Sequence, residues 1–263
     1  MTAIYSDSPL GVVGFVDISD PYAPQPLGTL DVGGEPTSVA VCGTHAIVCV
    51  NTSPDFLNPS GQYVVVDIAT QTIVATGDLG GQPDSIDVSP DCTKAVVAIE
   101  NERDEDLGDG GLPQLPAGFV AIIDISNMDP NNWSVTPLSL VGLAGIEMTD
   151  PEPEYVSINE DNIAVVTLQE NNSIVLIDLN VPKVLTSFSA GTVDLKGIDT
   201  EEEGIIDPSS SLAAVPREPD GVAWIGTVRS FEEKIRLLMC FVFISWSYAF
   251  SLCTEILCHG QRG

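Results

Sequence analysis

The chain has 263 residues, with 38 acidic against 9 basic side chains and a formal net charge of −29. That balance argues against nucleic acid as a partner, because phosphate binding needs clustered Lys and Arg; cations, or simple solubility in a salty medium, explain it better. A hydrophobic fraction of 44% excludes a disordered acidic tail, since such tails lack apolar strands.

The opening decapeptide MTAIYSDSPL has neither a basic n-region nor an apolar h-region, so no signal peptide is legible in it. The protein is then cytosolic, or this N-terminus is incomplete. Beyond it the chain is a series of short runs rich in β-branched residues, each bounded by Gly, Pro, Asn or Asp, as strands and turns are. Two markers recur. An apolar strand closed by Asp-Ile or Asp-Leu occurs at Phe15–Ile18, Val64–Ile68, Ala121–Ile125 and Val175–Leu179. Its aspartates, Asp17, Asp67, Asp124 and Asp178, are spaced by 50, 57 and 54 residues and are expected to cap turns. A turn ending in x-Pro precedes the strands Thr37–Val41, Ser85–Val88, Tyr155–Ile158 and Gly221–Trp224, with Pro36, Pro83, Pro153 and Pro219.

Glu152–Asn180 shows the unit most fully. Strands are expected at Tyr155–Ile158, Ile163–Leu168 and Ser173–Leu179, and Val184–Phe188 can add a fourth. Four antiparallel strands cannot bury both faces alone, so the unit should stack on its own copies. A period near 50 residues with four strands per copy predicts an all-β fold, a partial β-propeller of about four blades in an open ring. Insertions fall in Glu102–Ala117 and Asp129–Pro153.

The propeller is expected over residues 1–230 and a different tail over 231–263. Leu237–Thr254 is an uncharged run of 18 residues, close to the length of a membrane span. As a helix it would extend about 27 Å at roughly 1.5 Å per residue. A helix is expected over 231–257, either membrane-associated through residues 237–254 or not native to the domain. Were it to span, Lys234 and Arg236 would face the cytoplasm.

Strand-one starts and strand-two exits share one rim of an antiparallel blade. That rim collects Glu35, Asp84, Glu152, Glu154, Glu218 and Asp220 with the acidic loop Glu100–Asp109 and Glu170. The metal-site candidates are Glu100, Glu102, Asp104, Asp106, Asp109, Glu152, Glu154 and Glu170, because calcium takes several hard oxygens and a Gly-containing loop can wrap to supply them. The loop does not follow the EF-hand pattern, and its bland reading is a solvated acidic loop. Glu170-Asn171 repeats Glu100-Asn101 at the same place in the next copy, which favours a structural role. Asn51, Asn132 and Asn171 stand in Asn-x-Ser/Thr sequons beside expected loops and are glycosylation candidates.

Cys42, Cys49 and Cys92 lie in apolar strands and read as buried free thiols. Cys240, Cys253 and Cys258 fall in the last 24 residues, and Cys253-x4-Cys258-His259 is not a zinc spacing. Catalytic material is sparse: the histidines are His45, in a turn, and His259, in the tail, and no Gly-x-Ser-x-Gly elbow occurs.

The words EPEYVSINEDNIAVVTLQENN (Glu152–Asn172), QPDSIDVSPDCTKAVVAIENERD with GFVAIIDIS (within Gln82–Ser126) and REPDGVAW (Arg217–Trp224) resemble the choice-of-anchor I domain family. The resemblance covers about residues 10–225 and implies a β-propeller of surface proteins. Its relatives include mesenchyme-specific cell-surface glycoproteins and alkaline-phosphatase-like proteins. It therefore implies an extracellular or cell-surface binding or scaffold domain, with divalent cations or matrix components as partners. A phosphohydrolase-like propeller is the alternative it carries, and a fragment of a longer protein without function of its own is a third. The resemblance carries over no catalytic residue, and the enzyme question leans to no.

Overall fold

The structure is a computed structural model that describes residues 1–201, 203–224, 236–245 and 248–257. All its regular elements are strands apart from two single 3-10 turns, at Ser8–Leu10 and Pro130–Asn132. The first sheet holds β1 (Thr2–Asp7), β2 (Val12–Asp17) and β3 (Gln25–Asp31). The second holds β4 (Glu35–Cys42), β5 (His45–Asn51), β6 (Gly61–Asp67) and β7 (Thr72–Asp78). The third is built from β8 (Pro83–Val88), β9 (Lys94–Ile99), β10 (Phe119–Asp124) and β11 (Ser134–Ser139), and the fourth from β12 (Pro153–Ile158), β13 (Ile163–Leu168), β14 (Ser173–Asp178) and β15 (Lys183–Ser189). A separate hairpin, β16 (Thr192–Ile198) with β17 (Ser210–Pro216), precedes a last sheet of β18 (Ala223–Trp224), β19 (Arg236–Ser245) and β20 (Tyr248–Leu257).

Within each four-stranded sheet the strands are antiparallel and follow sequence order. The first strands β4, β8, β12 and β18 lie against one another in turn. The apolar clusters sit between neighbouring sheets: Val13 and Phe15 with Val48 and Val64, Ile47 and Val65 with Val97 and Ile123, Val120 and Ile122 with Val166 and Ile177. Sheets that pack face to face around a row of first strands are the blades of a propeller.

Register shows how the blades correspond. Asp17 pairs with Thr2, Asp67 with His45, Asp124 with Lys94 and Asp178 with Ile163. One step on, Ala3, Ala46, Ala95 and Ala164 occupy one position in four copies. β1 is thus the counterpart of β5, β9 and β13, the second strands, and the first blade consists of strands two to four. The four aspartates cap turns as expected: Asp17 accepts from Ser19 N at 2.9 Å, Asp67 from Thr70 N at 2.8 Å, Asp124 from Ser126 N at 3.1 Å and Asp178 from Asn180 N at 2.9 Å.

Two expectations are corrected. The helix over 231–257 is not formed: its described part is extended, with Ala223 and Trp224 of β18 paired to Leu238 and Leu237, and β19 paired to β20 from Arg236↔Leu257 to Ser245↔Tyr248. Phe, Val, Ile, Tyr and Thr fill this run and favour a pleated surface, and β18 offers it an open edge. Residues 231–235, with Lys234 and its expected orientation, and 246–247 lie outside the described residues. Among the described residues no helix is long and apolar enough to cross a membrane. Second, Cys42 and Cys92 are not free thiols but a disulfide that joins the end of β4 to the β8–β9 turn, with Cα atoms 5.8 Å apart. Cys49 is free and buried, as expected.

Candidate functional site: an acidic mouth at the start of the first strands

Each complete blade has a Pro at the first or second position of its first strand, followed by a register shift: between Pro36 and Ser38, Pro83 and Ile86, Pro153 and Val156. Such bulges re-aim the side chains they carry. The residues that follow the prolines are Thr37, Asp84, Glu154 and Asp220. Neighbouring blades are stitched at this level, Ser85 Oγ of β8 donating to Glu154 O of β12 at 2.7 Å and Thr167 Oγ1 of β13 donating to Asp220 O, ahead of β18, at 2.8 Å. Asp84, Glu154 and Asp220 are thereby held on one rim, partly buried.

Glu100 and Glu170, leaving the second strands of successive blades, reach the same place. The Glu100 and Glu154 carboxyls are near neighbours, and each raises the other's demand for a proton. Burial first, then Asp84, Glu170 and Asp220, push Glu154 up to about 9. Burial, Asp220, Glu102 and Glu170 push Asp84 up to about 7, and burial with Glu154 and Asp84 raises Glu100 well above the usual carboxylate range. Burial also raises Glu218 and Asp220, each beside Glu170. One Glu170 oxygen, Oε2, is buried without a hydrogen-bond partner.

Arg103 lies inside this cluster, and the sequence reading overlooked it. Its Nη1 is 2.8 Å from Glu152 Oε2 and 3.2 Å from Glu170 Oε1, its Nη2 is 3.3 Å from Glu105 Oε1, and its Nε donates to Gly110 O at 2.9 Å. The Arg103 backbone N–H also donates to Glu152 Oε1 at 3.1 Å. Burial and Glu170 push the Glu152 carboxyl up, and the guanidinium opposes them.

The expected candidates therefore divide. Glu100, Glu152, Glu154 and Glu170 come together, and Glu102 stands beside them, exposed, accepting from Gln82 Nε2 at 3.1 Å. Asp104, Asp106 and Asp109 do not join: Asp104 accepts from Asp106 N and Asp109 from Gly111 N, so the loop's carboxylates stabilise its own turns. Among the described residues no group of three or more His, Cys, Asp or Glu is arranged to hold a metal ion. The mouth has hard oxygens of the kind calcium takes, but a cation would have to draw them together.

The repeated asparagines are structural. Asn101 Oδ1 accepts from Gln82 N at 2.9 Å, and Asn171 Oδ1 accepts from Glu152 N at 2.8 Å, each fastening the residue before its blade's Pro. Asn171 Nδ2 donates to Asp150 O at 3.0 Å and Ile146 O at 3.1 Å, and the residue is fully buried. A glycan has no access to it in the folded chain, which corrects that candidate. Asn132 is exposed, and Asn51 is partly buried with its Nδ2 on Glu35 Oε2 at 3.3 Å. His45 starts β5, at the end of the blade remote from Glu35 and the mouth.

A model of the choice-of-anchor I domain matches residues 1–228. The chain belongs to the choice-of-anchor I family. Among solved structures this family member is similar to the β-propeller domain of Cps50 (Swd1) from Myceliophteria thermophila, at 9% identity and a TM-score of 0.52, over 88% of this chain and 61% of that one. It is also similar to Kuenenia stuttgartiensis hydrazine synthase, at 13% identity and a TM-score of 0.51, over 68% of this chain and 50% of that one. The likeness to the Cps50 domain shows the propeller fold, and the chain spans 50% to 61% of the length of the two proteins. No curated protein matches the sequence.

Proposed function

We propose that this choice-of-anchor I domain is an extracellular or cell-surface binding module that takes calcium, or a similar divalent cation, at its acidic mouth. The observation that carries this reading is the convergence of Asp84 of β8, Glu154 of β12 and Asp220, in the segment leading into β18, with Glu100 and Glu170. Carboxyls at one position of a repeat are not needed to hold each blade, as Thr37 in the second blade illustrates. Their mutual repulsion and burial store a preference for positive charge, which protons and Arg103 satisfy in part.

Location outside the cell is supported by the Cys42–Cys92 disulfide, since such bonds persist in oxidising compartments, and by the surface association of the family. Matrix or surface partners would meet the same rim. Calorimetric titration of calcium into the chain tests the binding. The expected result is saturable heat with proton release, lost in Glu154→Gln; a flat titration contradicts it.

A further inference from the structure

The link between second and third strands is a short turn in the fourth blade, residues 169–172, but in the third blade it is the long irregular segment 100–118. Loops of that length without strands or helices are uncommon in compact domains unless they serve as lids or binding loops. This one is knotted on itself. Asn101 Nδ2 donates to Ala117 O at 3.2 Å and so joins its ends. Gln114 binds across it, Oε1 accepting from Asp104 N and Nε2 donating to Asp104 O, both at 3.0 Å.

The root of the segment lies across the junction of the third and fourth blades, at the mouth. Glu102 Oε2 accepts from Gln82 Nε2 at 3.1 Å, and Arg103 is paired with Glu152 at 2.8 Å. Gln82 and Glu152 stand just before Pro83 and Pro153, so the two contacts flank Asp84 and Glu154, which stand just after them. Gln114 N adds a bond to Asp150 Oδ2 at 2.6 Å. Among the described residues none of 102–117 belongs to an apolar core cluster, and Leu107 and Leu115 are 55% and 63% exposed. The segment brings Glu102, Asp104, Glu105, Asp106 and Asp109 to a rim that is already acidic, and Arg103 is its one base. A segment with few buried apolar contacts opens at a fraction of the global unfolding free energy. Here closure hangs on one cation.

We propose that residues 102–117 form a lid on the mouth, latched by Arg103, whose local opening governs access to Asp84, Glu100 and Glu154. The inference rests on the mouth being where a ligand enters, and adds the step that admits one. Glu170 joins latch and mouth. Its Oε1 lies 3.2 Å from Arg103 Nη1, its Oε2 is buried without a hydrogen-bond partner, and its charge bears on Glu154 and Asp84. The latch is thus set by the same carboxylates that an entering ligand would meet. The short 169–172 turn offers the fourth blade no equivalent segment.

The test couples glycinamide to carboxyls with a carbodiimide and locates the labels by mass spectrometry. It is run in EDTA, so its outcome does not depend on calcium. Arg103→Gln removes the latch, and Gln114→Ala unties the segment without changing any charge. Each should speed labelling of Glu100 and Glu154 by about tenfold, the factor that corresponds to one lost hydrogen bond, and leave exposed Asp106 as in the parent. Alkylation of the buried Cys49 reports global unfolding and should stay slow. In the parent, the Arg103 and Gly110 amides should exchange at a rate that low urea leaves unchanged, the mark of local opening. Parent-like labelling in either variant, labelling that rises only in step with Cys49, or exchange quickened by urea would overturn the proposal.

Discussion

Arg103, on the loop that leaves β9, forms a 2.8 Å ion pair with Glu152, which leads into β12 of the next blade. The pair is shielded, with the guanidinium side chain 17% and the Glu152 side chain 2% exposed. It draws in Glu170 at 3.2 Å and so links the third and fourth blades through one cation.

Removing that cation leaves two buried carboxylates facing each other. Breaking a buried pair from one side costs about 3 kcal/mol, so Arg103→Gln should lower the melting temperature by roughly 6–12 °C at about 2–4 °C per kcal/mol. Arg103→Lys keeps the charge but loses the fork to Glu152 and Gly110, and should fall between. Thermal denaturation of the three proteins checks the order.

The Cys42–Cys92 bond closes a loop of 50 residues between two blades. Chain entropy assigns a cross-link of that span about 4 kcal/mol. Cys42→Ser with Cys92→Ser should lower the urea midpoint and abolish its dependence on reductant, whereas the parent should be weakened by dithiothreitol. A parent indifferent to reductant would contradict the staple.

The blade repeat was legible because its signals are local. Each Pro and each strand-closing Asp acts within a few residues of itself, so Asp17, Asp67, Asp124 and Asp178 mark equivalent turns without any knowledge of the fold. What stayed hidden was long-range. Cys42 and Cys92, read singly, look like buried thiols, and only packing of adjacent blades brings them together. Arg103, inside a run of acids, reads as one charge among many until Glu152 and Glu170 arrive from the next blade. Asp104, Asp106 and Asp109 show the converse: nearness in sequence to Glu100 does not bring them to Glu154 and Glu170, because Asp104 and Asp109 accept from backbone N–H groups of their own loop and Asp106 faces solvent. The apolar run 237–254 misled because uniform hydrophobicity does not distinguish helix from strand.

The mouth should make stability depend on pH. Glu154 is pushed up to about 9 and Asp84 to about 7, from ordinary values of 4.5 and 3.8. The folded chain therefore holds protons that the unfolded chain has released, and the stabilisation is fully present below about pH 4 and lost as pH rises through 7 and 9. In EDTA at constant ionic strength the melting temperature should fall between pH 5 and 9. Glu154→Gln should flatten that fall; an unchanged slope would show that the mouth is not its source.

Sequons can be ranked by access. Expressed through a secretory pathway, the chain should carry glycan at exposed Asn132 and none at Asn171, whose amide is committed to buried carbonyls. Asn171→Ala orphans Glu152 N and those carbonyls, and should cost about 3 kcal/mol at roughly 1–3 kcal/mol per unsatisfied buried group. Peptide mapping by mass spectrometry and urea denaturation check the two statements.

Cation binding at the mouth is tested most directly by melting the chain in millimolar calcium chloride against sodium chloride of matched ionic strength. A ligand at roughly 100 times its dissociation constant stabilises by about 2.7 kcal/mol, whereas exposed charges are screened alike by either salt over about 8–10 Å. Calcium should raise the melting temperature beyond the sodium control, and Glu100→Gln with Glu154→Gln should remove most of that gain. Equal shifts in the two salts, or an undiminished calcium gain in the double variant, would contradict binding at the mouth.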